Sequence, residues 1–300
     1  MLRTILFAAC LAPSALAATE LNLDTDLRFD SLLVQPPAPA PGDPTTPDPT
    51  AAAPNDNSAD LAKQLSNPVA NLISVPFQNN YDFGIGSNDA GKFTLNIQPV
   101  VPVTLNDDWN LIIRTILPLI YQDGPNPGPG PQGEDTFGLG DTTQSFFLSP
   151  VQPVGGWILG FGPAMLYPTA TNDVLGTGKW GAGPTIVALR QDHGFTWGVL
   201  ANHIWSYAGD DDRQDVSSTF IQPFLSYTFP SATSITVNTE TTYDWENDQW
   251  TVPVNVMLAQ VVKFGRQPVQ FQVGYRYYAE SPAGGPEWGL RFVVTFLFPK

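Results

Sequence analysis

The stretch ANHIWSYAGDDDR, residues 201–213, sets a histidine, a serine and three aspartates close together. His203 with Ser206, or with Ser217 or Ser218 a little further on, has the residue types of a nucleophilic hydrolase. Such an enzyme needs a hydroxyl, a base beside it and a carboxylate to orient the base. Two features argue the other way. No G-x-S-x-G elbow is present, and His203 shares a strand face with Trp197 and Trp205. We therefore expect a structural histidine, assign no catalytic residue and expect no enzyme.

The carboxylates of Asp210, Asp211, Asp212 and Asp215 supply the oxygen ligands a divalent cation prefers. Their spacing is not that of an EF-hand loop, so they read as a solvated outer loop. Calcium bridging to lipopolysaccharide is the alternative. No metal site and no cofactor is expected, in a chain with two histidines and one cysteine.

A third set is more dispersed. Arg114, Asp141, Glu240, Asp244, Arg276, Glu280 and Arg291 fall on the polar faces of separate segments. They come together only if those segments close around one lumen. There they would either line a polar path or fill and stiffen a plugged interior, and both readings stay open.

The elements that must position them are strands. Period-two alternation recurs from about residue 72 onward, broken by clusters of Gly, Pro, Asn and Asp. In KFTLNIQPVVPVTL the residues Phe93, Leu95, Ile97, Val101 and Val103 share one face, opposite Lys92, Thr94, Asn96 and Gln98. In GLRFVVTFLFPK the residues Leu290, Phe292, Val294, Phe296 and Phe298 oppose Arg291, Val293, Thr295 and Leu297. About twelve segments are predicted: 72–83, 92–104, 109–121, 138–149, 156–167, 179–190, 195–207, 216–229, 234–245, 249–262, 268–280 and 287–298. Internal prolines (Pro76, Pro99, Pro102, Pro118, Pro163, Pro184, Pro223 and Pro253) cost ladder bonds, and some are expected to mark bulges.

A terminal apolar strand left as an open edge invites aggregation. Closure into an up-and-down antiparallel β-barrel removes that edge, and bilayer hydrocarbon can then solvate the apolar face. Two signals support this reading over a soluble sandwich. Trp109, Tyr121, Trp157, Tyr167, Trp180, Tyr207, Tyr243, Trp245, Trp250 and Trp288 sit near predicted strand ends, as interfacial girdles require. The connections also alternate, with GIGSNDAG, QDGPNPGPGPQGEDTF, TATNDVLGTG, AGDDDRQD, ENDQ and SPAGGP on one side. The mostly shorter NDD, SPVQPVGG, QDHG, PSAT and KFGRQ lie on the other. Long outer loops and short periplasmic turns are the barrel pattern.

Composition bounds the rest. The net charge is −15, with 13 basic against 28 acidic residues, which speaks against a nucleic-acid partner. Mean hydropathy is −0.07, as alternating β-spans average out. Residues 1–17 read as a secretory signal peptide: Arg3 begins it, an apolar run follows, and ALA at 15–17 is the cleavage site. The alternative takes Cys10 as a lipidated residue, but the apolar run before it is short. Residues 18–57 read as a Pro-rich periplasmic arm, 58–70 as a short helix or connector, and 71–300 as the barrel.

Several stretches resemble one group of outer-membrane proteins, the family grouped with phenol meta-pathway degradation. They include NPVANLISVPFQNNYDFGIG (67–86), WNLIIRTILPLIYQ (109–122), GLGDTTQSFFLSP (138–150), GWILGFGPAMLYPTAT (156–171) and WGAGPTIVAL (180–189). ANHIWSYAGDDDR and GPEWGLRFVVTFLFPK (285–300) continue the likeness. The resemblance implies an outer-membrane barrel and, through the family label alone, uptake of aromatic compounds. Phe298, followed by Pro299 and Lys300, is similar to the carboxyl-terminal aromatic that barrel-assembly machinery reads. The expected function is a channel or transporter of small solutes in a Gram-negative outer membrane. Its partners would be lipid, lipopolysaccharide, the assembly machinery and the solute. A structural or adhesive envelope barrel and a barrel lipid hydrolase are the alternatives.

Overall fold

The computed structural model describes residues 57–123 and 135–299. The predicted signal peptide, nearly all of the Pro-rich arm and the centre of the loop at 122–136 lie outside the described residues. The chain opens with α1 (Ser58–Leu65), followed by β1 (Ile73–Ile85), β2 (Ala90–Ile97), β3 (Val100–Thr104) and β4 (Trp109–Gln122). Next come β5 (Thr136–Leu139), β6 (Thr142–Pro150), β7 (Ile158–Tyr167), β8 (Lys179–Asp192), β9 (Phe195–Gly209) and β10 (Ser217–Thr228). The last are β11 (Thr233–Thr239), β12 (Thr241–Asp244), β13 (Gln249–Phe264), β14 (Gln267–Glu280) and β15 (Trp288–Phe298).

These form a closed antiparallel barrel of 12 strands, in which β2–β3, β5–β6 and β11–β12 are each one interrupted stave. Closure falls where the terminal apolar strand demands it. β15 pairs with β1 from Ile73↔Phe298 to Phe83↔Trp288, so neither strand leaves an edge.

The wall shows the expected alternation. On β15, Trp288, Leu290, Phe292, Phe296 and Phe298 are exposed on the outer surface, whereas Arg291, Val293, Thr295 and Leu297 are buried within. Aromatics pair across the staves at both rims. At one end Phe83 stacks on Trp288 at 4.5 Å, and Tyr243 lies tilted against Trp250 at 4.6 Å. Trp157 meets Trp197 at 5.1 Å and Phe195 meets Tyr227 at 4.7 Å at the other.

Each of the three interruptions lies opposite a proline. Gln98 donates its N–H to the Pro76 carbonyl at 2.9 Å, Gly140 to Pro118 at 2.9 Å and Glu240 to Pro253 at 3.2 Å. The return bond is missing in all three because proline has no N–H. The ladder therefore pauses beside a proline and resumes beyond it. The register is unchanged at Gln98 and Glu240, and one residue is gained near Asp141. Prolines that count against a strand in sequence thus set where the staves break, and two of the breaks carry side chains that matter below.

The segment read as a short connector packs against the inward faces of the staves. Leu61, Ala62, Ala70 and Leu72 pack on Ala232, Val261 and Leu297, all buried. Further in, Val69 packs among Ile112, Phe147, Val187, Leu189 and Leu200. The Gln191 amide donates to the Lys63 carbonyl at 2.8 Å, and the Ser66 and Ser226 hydroxyls are 3.3 Å apart. Residues 57–72 are thus a plug, seated at the end of the barrel where β1 begins and β15 ends.

Candidate functional site

Residues directly opposed across neighbouring strands form rows around the lumen. One row runs Asp82, Gly289, Arg276, Asn255, Asn238 over β1, β15, β14, β13 and β11. The next runs Asn80, Arg291, Gly274, Met257, Thr236. All face inward, because the strand period is two.

The two glycines make the convergence possible. A side chain at Gly289 would have its first carbon 2.6 Å from Asp82 Oδ1, and one at Gly274 would meet Met257 Cγ at 2.7 Å. With neither present, the arginines of adjacent rows extend across their neighbours. Arg276 donates from Nε to Asn255 Oδ1 at 2.9 Å, from Nη2 to Glu240 Oε2 at 2.6 Å, and approaches Asp82 Oδ1 at 3.4 Å. Arg291 donates from Nε to Asn80 Oδ1 at 2.7 Å and grips Glu240 with both terminal nitrogens at 2.7 Å. Such a bidentate pair fixes direction as well as charge.

Glu240 itself sits at the break opposite Pro253, three staves from Arg291. Its carboxylate therefore spans part of the lumen and ties β11–β12 to β14 and β15. Arg276 and Arg291 are 8% and 4% exposed, so their charges rely on these partners rather than on water.

Arg114, on β4, donates from Nη2 to Gln98 Oε1 at 3.0 Å, and no carboxylate of the described residues is within ion-pair distance of it. Gln98 occupies the break opposite Pro76. Arg114, Glu240 and Arg291 all line one cavity of about 350 Å³, bounded at one end by the plug residues Gln64, Ser66 and Ala70.

Four of the seven charged positions read from the sequence thus gather in the lumen: Arg114, Glu240, Arg276 and Arg291. Three do not. The Asp141 carboxylate accepts from the Thr177 N–H at 2.6 Å, the Thr177 hydroxyl at 2.7 Å and the Ala170 N–H at 3.2 Å. It anchors the loop between β7 and β8. Asp244 caps its own hairpin, accepting from the backbones of Glu246 and Asn247 at 2.9 and 3.3 Å. Glu280 is a correction to the expected lumen set. The ladder gains a residue between Tyr278, opposite Pro253, and Glu280, opposite Val252. That bulge turns the next side chain out of phase, and Glu280 is exposed at the outer rim.

Sequence reasoning missed Asp82, Asn80 and Asn255, and set Lys92 on a polar face without counting it among the lumen charges. Their signal was available: Gln78, Asn80 and Asp82 alternate with Phe77, Tyr81 and Phe83. Lys92 lies directly opposite Asp82 on β2.

The histidine constellation resolves differently from a triad. His203 Nδ1 lies 2.7 Å from Thr219 Oγ1, which also accepts from Trp245 Nε1 at 2.8 Å. Its ring sits 3.9 Å from that of Trp205, on the outer face of the barrel. Ser206 falls on the opposite face of the same strand and donates to Asp215. The hydroxyl beside His203 is thus a threonine, and its Nε2 has no partner among the described residues.

The acidic loop is also dispersed. Asp210 caps its own turn by accepting from the Asp212 N–H at 3.0 Å. Asp215 faces the buried Lys179 Nζ at 3.0 Å and Ser206 at 3.1 Å. Those hydrogen bonds, Lys179 first, hold its carboxyl below the usual range. A depressed carboxyl contributes loop order above its unfolded value near about 4, and loses it as pH falls through the folded one. Limited proteolysis should therefore cut the 209–217 loop faster at about pH 3 than at neutral pH. Asp215→Asn should abolish that contrast, and an unchanged contrast in the variant would assign it elsewhere.

This architecture, a closed barrel with an apolar outer wall, aromatic rims and a charged interior, is that of bacterial outer-membrane barrels. An outer-membrane channel from Pseudomonas putida F1 superposes with a TM-score of 0.58 at 18% identity, over 76% of this chain and 94% of that one. The β domain of the Bordetella autotransporter BrkA gives 0.43 at 12%, over 76% and 99%. Outer membrane phospholipase A from Escherichia coli gives 0.42 at 11%, over 81% and 98%. No protein-family model and no curated protein matches the chain.

Proposed function

We propose that the chain is an outer-membrane channel or transporter for small solutes, with the plug 57–72 setting the resting opening of its lumen. The observation that carries this reading is the cavity of about 350 Å³ inside the barrel, walled by the charged rows and bounded by the plug. A barrel built only as an anchor gains nothing from a cavity lined by paired and unpaired charges, which cost desolvation to keep. The solute remains a matter of the family resemblance, which favours aromatic compounds. The apolar outer wall supports placement in the outer membrane of a Gram-negative bacterium.

Planar-bilayer recording tests the proposal. The folded full chain should show discrete conductance steps, and deleting residues 57–70 should raise the unit conductance several-fold. A correctly folded barrel that stays silent with and without the plug would overturn the channel reading.

A further inference from the structure

The charges of the lumen do not balance, and the imbalance is local. Six charged side chains face one another across its wall: Lys92, Arg114, Arg276 and Arg291 against Asp82 and Glu240. Both carboxylates are committed. Glu240 gives one oxygen to Arg276 and both to Arg291, and Asp82 faces Arg276. Arg114 has a carboxamide oxygen, a neutral acceptor, at one of its five N–H groups, and Glu240, already shared by two arginines, acts on it only through space. A guanidinium inside a protein wall is costly without a counter-charge.

The surroundings of Arg114 are not uniformly polar. Ile116 lies on the same face two residues along β4, and Val100 is its direct neighbour across β3. Phe220 and Phe224, both half-buried, line the same cavity. A cationic fork with Val100 and Ile116 at its side thus faces the aromatic rings of β10 across the lumen, in a cavity of a size that holds small ligands.

From this arrangement we infer that the cavity is a binding site for a small monocarboxylate with an apolar body. Its carboxylate pairs with the free edge of Arg114, and its body rests against Ile116, Val100, Phe220 and Phe224. Arg276 and Arg291 do not compete for it, because Glu240 already occupies them. They hold the wall in place, and the surplus positive charge is that of Arg114 and Lys92. The inference rests on the lumen being the solute path, and it adds the class of solute.

Binding can be measured apart from transport. The full chain, folded in detergent, is titrated calorimetrically with benzoate, and with benzyl alcohol as a neutral shape match. Benzoate should bind at one site at least tenfold more tightly than the alcohol. Arg114→Gln should erase that preference, and Arg190→Gln, an exposed arginine over Trp157, should leave it intact. Equal binding of acid and alcohol by the unaltered protein overturns the site, and this comparison needs no variant to fold. So does an Arg114→Gln protein that keeps the preference. Benzoate binding without any conductance would uphold the site and defeat the channel reading, and conductance without binding would do the reverse.

Discussion

Glu240→Gln should lose about 3–5 kcal/mol of folding stability, the cost of breaking a buried ion pair by removing one partner. The size follows from what remains. Arg276 and Arg291 are almost fully buried, and Glu240 takes three of their hydrogen bonds, at 2.6, 2.7 and 2.7 Å. A carboxamide presents one oxygen where the two guanidiniums use two, and it brings two donors to face donors. Asp82 is 3.4 Å from Arg276, has Lys92 directly opposite it and makes no contact with Arg291, so it cannot take over. Urea unfolding of the barrel in vesicles, read on a gel by heat-modifiable migration, measures the loss.

A second substitution separates the charge from the packing. Replacing Arg291 with Met as well removes one stranded cation and keeps an unbranched side chain over Gly274. The double variant should therefore recover part of the loss. Equal stability of Glu240→Gln and the unaltered protein would mean that water reaches these arginines and the network is ornamental.

How much of this was legible beforehand follows from the geometry of a closed sheet. Side chains alternate except at bulges, and one face is apolar. The parity of Arg291 against Phe292, or of Glu240 against Tyr243, is therefore written in the order of residues. All twelve staves and the alternation of long and short joins could be read in that way. Distance across the lumen could not. Nothing local tells that Glu240 reaches β15, since that depends on barrel closure and on two glycines leaving room.

Glu280 escaped for a related reason: one extra residue in β14 reverses the parity, and bulges leave little trace in composition. The plug was harder still. Leu61, Val69 and Leu72 follow no single period, because α1 ends before Val69 and each residue meets a different part of the wall. Asp82 lay within the predicted strand 72–83, and its pairing was hidden because Lys92 and Arg276 approach it from neighbouring staves.

The remaining large prediction concerns what solvates the outer wall. Phe292 lies near the middle of β15 and Phe298 at its end, and both are 44% exposed. If hydrocarbon covers them, Phe292→Arg should cost about 2–4 kcal/mol in vesicles and Phe298→Arg about 0–1 kcal/mol, because the penalty for a charge falls off toward the interface. A water-facing wall predicts the opposite sign. There an arginine in place of an exposed phenylalanine is neutral or raises solubility, with no dependence on position along the strand. The same vesicle unfolding assay distinguishes the two, and the position dependence is the decisive part. Both variants lose the β propensity of a large ring, so that loss cancels in the comparison. A difference of less than about 1 kcal/mol between the two variants would remove the bilayer from the account of this fold, and the lumen would lose its meaning as a passage between compartments.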